Sequence, residues 1–266
     1  MKISVIIPCY NDGHFLHDAV NSVLACTFCD IEIIIVNDGS TDQNTLEVLD
    51  GYLAQGLKVL SHLNKGLAFS RNKGIKEANA EYILPLDADN KITTDYIKRA
   101  IELLDSNTCD IVYARPFFFG DNIPERKFET QDFDGDELLF GNYIDACAIF
   151  KKSVWQQVGG YDETMPFPGH EDWDFWIGCF FNGFKFNFIN EELFGYRIAK
   201  NSMISNISTD KLQANHDFII LKHKKQILDQ IRKKSYYQKF HENDQRNYLR
   251  TSIKYLVKSF KRMIDK

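Results

Sequence analysis

The sequence contains no run approaching the roughly 20 apolar residues that a membrane-crossing helix requires. Its apolar opening, MKISVII, breaks at Pro8, short of the length expected of a secretory leader. No G-x-G-x-x-G follows the first apolar segment and no P-loop motif is present, which removes the dinucleotide-binding and P-loop readings. The six cysteines have no repeating spacing. The one C-x-x-C, Cys26 to Cys29, has neither a second pair to complete a zinc site nor a thioredoxin-like setting. The cysteines are therefore expected to be structural thiols in a reducing compartment. Internal repeats and low-complexity linkers are also missing, so the 266 residues read as one large domain or two small ones.

What is present is an ordinary globular composition, 44% hydrophobic and 26% charged, ample for a full core. The net charge of −5 conceals an asymmetry. Lys211 to Lys266 carries 15 Lys+Arg against 5 Asp+Glu, which leaves −15 on Met1 to Asp210. Near the end, Leu249, Ile253, Leu256, Val257 and Phe260 recur at helical spacing with Arg250, Lys254, Lys258 and Lys261 between them. That is a basic amphipathic helix, suited to docking on the body or to an anionic membrane surface through 246–264.

Hydrophobic periodicity alternates between strand and helix over the first 115 residues. Ile3–Ile7, Ile31–Val36, Leu57–His62, Tyr82–Asp87 and Asp110–Pro116 read as strands. Helices fall between them. The second is expected to open on a capping box at Ser40-Thr41-Asp42-Gln43 and run through Leu53. Such alternation implies a mostly parallel sheet with helices on both faces. After Pro116 the chain turns acidic, aromatic and irregular. Tyr143–Phe150 reads as a strand, the segment around Val154 as a helix, WDFWIGCFF as another, and FKFNFI and LFGYRI as two further strands. From about Thr209 the pattern is helical.

In parallel sheets, ligands bind beyond the carboxyl ends of the strands. The first strand ends in Pro8-Cys9-Tyr10-Asn11-Asp12, the second in Asn37-Asp38-Gly39-Ser40, and the fourth in Asp87-Ala88-Asp89. Residues two apart on a strand share a side, so Asp87 and Asp89 are placed to offer hard oxygens to one Mg²⁺ or Mn²⁺. A solvated turn explains the same residues by ordinary loop chemistry. A dehalogenase-type phosphatase would carry D-x-D-x-T on its first strand. Here the pair follows the fourth, and Lys91 stands where the Thr would be.

Five segments, VIIPCYND, EIIIVNDGSTD, NKGLAFSRNKGI, YILPLDADN and GHEDWDFW, occur in an order that resembles family 2 glycosyltransferases, inverting enzymes of the GT-A fold, from about Lys2 to Arg197. The resemblance implies a nucleotide-sugar-binding half over 1–115, an acceptor-binding half over 116–208, and a basic helical extension over 209–266. It implies that Pro8, Tyr10, Asn11, Asp38, Asn64, Gly66, Arg71 and Asp87 bind the nucleotide, with Tyr10 stacking on the base, Asp38 accepting from a base N–H and Arg71 near the phosphates. Asp89 would ligate a divalent metal (Mn or Mg), with Asp87 on the ribose or reaching the metal through water. Asp172 would be the general base and Glu171 its partner, although both residue types also favour the first turn of a helix. Trp173 and Trp176 read as core.

Two departures stand out. The family often has a His after the last strand, where Ala199 lies here, and an Arg after the WDFW segment, where Gly178-Cys179 stand. His170 and the distant His216 are the histidines left to consider. The reading is an inverting, metal-dependent transferase acting in the cytoplasm or at the inner face of the cell membrane. Its donor is expected to be a UDP-sugar and its acceptor a glycan or lipid-linked glycan, with no nucleic-acid partner. A nucleotidyltransferase of related fold and a non-catalytic sugar- or nucleotide-binding protein are the alternatives. Sugar and linkage are expected to depend on the loops Phe117–Gln131 and Asp162–Gly169.

Overall fold

Every residue of the first strand, β1 (Ile3–Cys9), is buried, and its side chains divide between two cores. Ile3, Val5, Ile7 and Cys9 enter one cluster and Ile6 the other, as the two-residue strand period requires of a strand covered on both faces. β2 (Ile31–Asn37) and β4 (Tyr82–Pro85) divide likewise, with Ile35, Tyr82 and Leu84 on the first side and Ile34, Val36 and Ile83 on the second. Helices α1 (Gly13–Leu24), α2 (Gln43–Ala54) and α4 (Tyr96–Asp105) contribute to the first core. Helices α3 (Leu67–Glu77), α5 (Lys152–Val158) and α6 (Glu171–Phe181) contribute to the second.

This computed structural model describes residues 1–121, 128–198 and 208–246, with side chains to 236. One compact unit runs from Met1 to Ile219, and a second covers Ile220–Lys266. α7 (Thr209–Lys222) and α8 (Lys224–Arg246) make the described part of the C-terminal extension helical. The amphipathic helix expected beyond Arg246 lies outside the described residues, as does Ala199. No helix among the described residues is long and apolar enough to cross a membrane.

The sheet has eight strands in the order β3-β2-β1-β4-β7-β6-β8-β5. The newly named members are β3 (Lys58–Ser61), β5 (Lys91–Ile92), β6 (Ile111–Gly120), β7 (Ile149–Lys151) and β8 (Phe186–Ile198). β1 through β4 are parallel, as the alternation implied. The expected fifth strand does not extend that parallel set directly. The antiparallel β7 is inserted between β4 and β6, so the sheet is mixed.

Four local readings change. The expected strand over Tyr143–Phe150 is paired only from Ile149, because Asn142 and Asp145 close local turns on the N–H groups of Ile144 and Cys147. β6 does not stop at Pro116 but continues to Gly120, its register with β8 shifting on either side of Arg115. A bulge absorbs the proline, which has no N–H to give to the ladder. The two last strands are one, β8, 13 residues long. The cap of α2 is Asp42, whose carboxylate accepts from Thr45 N–H at 2.8 Å. Ser40 instead accepts from Asn11 N–H at 3.0 Å.

Gly74 sets how closely α3 lies on the sheet. A Cβ there would stand 2.4 Å from Ile6 Cγ2, so only glycine permits this approach. Arg71, one turn earlier, is thereby lowered over the carboxyl ends of β1 and β4.

Candidate active site

A pocket of about 530 Å³ opens at those strand ends. Its walls include Pro8, Tyr10, Asp38, Asn64, Gly66, Arg71, Asp87, Asp89, Glu171 and Asp172. The structure thus brings together residues spread over 165 positions of sequence. Asn11 is the one member of the expected set that is not part of the wall. Its Oδ1 accepts from the N–H groups of Thr41 and Asp42 at 2.8 and 3.0 Å, and its backbone is left-handed at φ 59°. It ties the end of β1 to the entry of α2.

At one end of the pocket, Tyr10 is 46% exposed, which removes the reading of a core tyrosine. Asp38 is buried at the end of β2 and accepts from Lys65 N–H at 2.7 Å and Gly66 N–H at 2.9 Å. These bonds hold the loop of Asn64 to Gly66 against the pocket. A carboxylate has about four lone-pair positions, so acceptor capacity remains for a ligand N–H. Gly66 has φ 90° and sits at the N-cap of α3, a conformation that side chains resist.

Arg71 is not on a solvated helix face. It is 1% exposed, and its guanidinium joins the two halves of the pocket. Nη2 donates to Asp87 Oδ1 and Nη1 to Glu171 Oε1, each at 2.6 Å. The two partners come from the last two motifs of the expected set, the strand-four turn and the first turn of α6. Arg71 Nε is buried without a hydrogen-bond partner.

Asp89 carries much of the electrostatic tension in the site. Burial, aided by the nearby charges of Asp87 and Asp12, pushes its carboxyl up to about 7. Asp145, which also lines the pocket, is likewise pushed up to about 7, by burial and then by Asp87. Several carboxylates facing one pocket with a single buried arginine among them suit a cationic ligand. The oxygens of Asp87 and Asp89 are the hard donors that Mg²⁺ and Mn²⁺ prefer. Among the described residues no group of three or more ligating side chains could hold a metal alone. A divalent ion here would take its remaining oxygens from a bound phosphate and from water.

At the far end, α6 opens at His170, with Glu171 and Asp172 in its first turn. Glu171 Oε2 accepts from Gly169 N–H at 2.9 Å. Asp172 is half-buried, and burial together with Glu171 holds its carboxyl well above the usual range against the pull of Arg71. His170 packs against Trp173 and His216 rather than lining the pocket. Trp173 and Trp176 are core, each N–H bonded to a backbone carbonyl, of Leu138 and Ile144 respectively.

Sequence reasoning passed over three residues of this wall. Asp145 and Tyr196 carry no motif. Arg197 reaches the pocket only because β8 runs beside β5. Its Nε donates to Asp89 O at 2.8 Å, its N–H donates to Asn90 Oδ1 at 2.9 Å, and its guanidinium stacks over Phe15 and Phe119. It also pairs with Asp18. Arg197 therefore pins the turn that carries Asp89. A cation following an aromatic strand was the only signal, and it is a weak one.

The sequence profile described as Glycosyl transferase family 2 matches residues 4–180. An uncharacterized glycosyltransferase of Methanocaldococcus jannaschii, MJ1057, is 27% identical over 222 residues, spanning 79% of this chain and 76% of its own. The putative teichuronic acid biosynthesis glycosyltransferase TuaG of Bacillus subtilis is 28% identical over 210 residues, spanning 77% of this chain and 82% of its own. Across the first three curated relatives the match spans 46 to 76% of their length. Among solved structures, S. aureus TarS 1–349 in complex with UDP-GlcNAc has a TM-score of 0.68 at 20% identity, over 83% of this chain and 67% of its own. The mannosyltransferase PcManGT from Pyrobaculum calidifontis, in complex with GDP-Man and Mn²⁺, has a TM-score of 0.59 at 17% identity, over 77% and 59%. At such identities these two structures speak for the fold alone, which is the GT-A arrangement.

Proposed function

This chain belongs to glycosyl transferase family 2, and from that premise we propose that it moves a hexosyl or N-acetylhexosaminyl group from a UDP-sugar, with inversion, to a hydroxyl of a growing surface glycan. The nucleotidyltransferase alternative falls with the family assignment. One observation carries the reading: a single pocket joins an aromatic and a carboxylate at Tyr10 and Asp38, an acidic pair at Asp87 and Asp89, and a half-buried carboxylate at Asp172. A family relative named for teichuronic acid biosynthesis and a neighbour of the same fold holding UDP-GlcNAc support the acceptor and donor classes. On this reading 1–115 serves the donor and 116–208 the acceptor.

The chemistry follows from the order of groups along the pocket. Tyr10 stacks on the base and Asp38 accepts from its N–H. The diphosphate lies toward Asp87 and Asp89, which would hold a divalent cation. Bound there, such a cation stabilises the charge that grows on the departing diphosphate. Asp172 takes the proton of the acceptor hydroxyl as its oxygen attacks the anomeric carbon from the side opposite the diphosphate, in one inverting displacement. Glu171, held by Arg71 and Gly169, keeps the first turn of α6 in place.

Thermal denaturation with nucleotide sugars tests this directly, since a ligand that binds only the native state raises its stability. UDP-sugars with Mn²⁺ are expected to raise Tm, and to raise it less without the metal. Asp89→Asn should keep the fold and lose the metal-dependent part of the shift. If GDP-mannose stabilises the protein and UDP-sugars do not, the donor class is wrong. Equal shifts in Asp89→Asn and the parent would remove Asp89 from the metal site.

The raised carboxyls predict a pH dependence with a definite sign. Asp89 and Asp145 hold protons up to about 7 in the folded state, above the ordinary carboxyl value of 3.8. The folded protein binds these protons more tightly than the unfolded chain, so stability is highest below about pH 4 as far as these two groups decide it. It falls as pH rises toward 7 and then levels off. Without metal, Tm should therefore drop between pH 5 and pH 8 by on the order of several degrees. A divalent cation must displace the Asp89 proton, so its stabilisation should grow over the same interval. A metal-free Tm that rises from pH 5 to 8 would contradict the burial of these carboxyls.

A further inference from the structure

Asp172 receives two hydrogen bonds from very different sources. Its own helix supplies one, from Trp173 N–H to Oδ1 at 2.8 Å. The other comes from outside the helix, from Asn142 Nδ2 to Oδ2 at 3.0 Å. Asn142 sits in the loop between a 3-10 turn, Glu137–Leu139, and β7. The orientation of its amide is dictated by a neighbour. Asn142 Oδ1 accepts from Ile144 N–H at 3.1 Å. A backbone N–H can only donate, so the amide oxygen must face Ile144 and the NH₂ must face Asp172. An NH₂ can only donate to that carboxylate, and a donated bond favours the ionised form.

The other groups around Asp172 do not offer the same help. Glu171 on the same helix and Asp145 on the loop before β7 both disfavour a second negative charge. Arg71 on α3 opposes them, but both of its terminal nitrogens are bonded to Asp87 and Glu171. Tyr161 and Tyr196, which also interact with Asp172, are held neutral by burial. Asn142 is thus the side chain that donates directly to Asp172.

We infer that Asn142 is a positioning residue for sugar transfer: its amide fixes Asp172 Oδ2 at the pocket wall and keeps that carboxylate ready to accept the proton of the acceptor hydroxyl. The inference rests on Asp172 being the base. In the transfer step the acceptor oxygen forms the new bond to the anomeric carbon. The bond to the diphosphate breaks, its electron pair leaves with the diphosphate, and the hydroxyl proton passes to Asp172. Asn142 exchanges no proton. It sets where the carboxylate stands and how readily it ionises.

The test is a carboxyl ¹³C NMR titration of the full chain, which needs no donor or acceptor. The Asp172 resonance is assigned by its loss in Asp172→Asn. Asn142→Ala should move the Asp172 midpoint up by about one pH unit. Asn142→Asp, nearly isosteric, should move it further, because a second carboxylate then stands at the same place. UDP release from UDP-N-acetylglucosamine with Mn²⁺ should show its acidic limb displaced in the same direction, with the rate recovering at high pH. Melting curves identify which variants are folded. If Asn142→Ala does not fold, Asn142→Asp decides by the same criteria. A midpoint that stays at the parent value in a folded variant overturns the inference, as does a lowered kcat with an unmoved limb. Parental UDP release by Asp172→Asn would instead sink the base assignment. An inactive Asp172→Asn beside an unmoved Asn142→Ala would remove only the role of Asn142.

Discussion

Asp172→Asn is expected to lower sugar transfer by about 10²-fold or more, the usual worth of a general base, while UDP-sugar binding stays near the parent value. The separation is expected because Asp172 stands at the end of the pocket away from Tyr10 and Asp38, on a different element. The substitution is nearly isosteric. An asparagine can still accept from Trp173 N–H, which keeps the start of α6 intact. It removes a carboxyl that burial and Glu171 hold well above the usual range, but it sets an NH₂ against the Asn142 NH₂ that donated to Oδ2, so the two effects oppose and Tm should stay near the parent value. Single-turnover transfer and donor titration are the two measurements. A variant that transfers sugar at the parent rate would leave Asp172 with only a structural place at the helix start. The anomeric configuration of the product, read by NMR, tests inversion separately.

Arg71→Met is expected to destabilise the protein by about 3–5 kcal/mol, the usual consequence of removing one member of a buried charge set. The guanidinium is buried and makes 2.6 Å bonds to two carboxylates. Methionine fills a similar volume but strands both partners in low dielectric. Protonation of the stranded groups relieves the penalty, so the deficit should be smaller at pH 5 than at pH 8. Combining Arg71→Met with Glu171→Gln should recover part of the loss, since it removes one stranded charge. Chemical denaturation of the parent, the single variant and the pair gives the coupling. A folded Arg71→Met with parental stability at pH 8 would mean that water already solvates this corner of the pocket.

Much of the frame is legible without coordinates. Runs such as Ile31–Val36 lack clean alternation because both faces of β2 are covered, and the burial of Ile34 and Ile35 in opposite cores is the physical counterpart of that pattern. The placement of Asp38 and Asp87 at strand ends follows from the same reading. Less was legible after Pro116. A proline and three phenylalanines look like a broken strand when read locally, but β6 persists through a bulge because β8 supplies a partner along its length. Pairing between distant segments has no local signature.

Asn11 and Arg71 show the same division at the level of single residues. Both belong to the expected nucleotide set by motif, and both prove to have structural partners. Asn11 closes a turn with Thr41 and Asp42, whereas Arg71 joins Asp87 to Glu171 across 84 positions of sequence. A motif records which residue type stands at a position. It does not record which neighbour claims the side chain.

Local chemistry was enough to determine the alternating strands and helices, the polar strand mouths and the acidic pair Asp87 and Asp89, because period, burial and side-chain type are properties of short segments. The tertiary structure alone decided that Arg197 pins the Asp89 turn, that Asn142 bonds to Asp172, and that Asp145 lines the same pocket as Asp87. Each of those arrangements joins groups on different elements. Their strength comes from the low dielectric of a pocket that exists only once the sheet, α3 and α6 have closed around it.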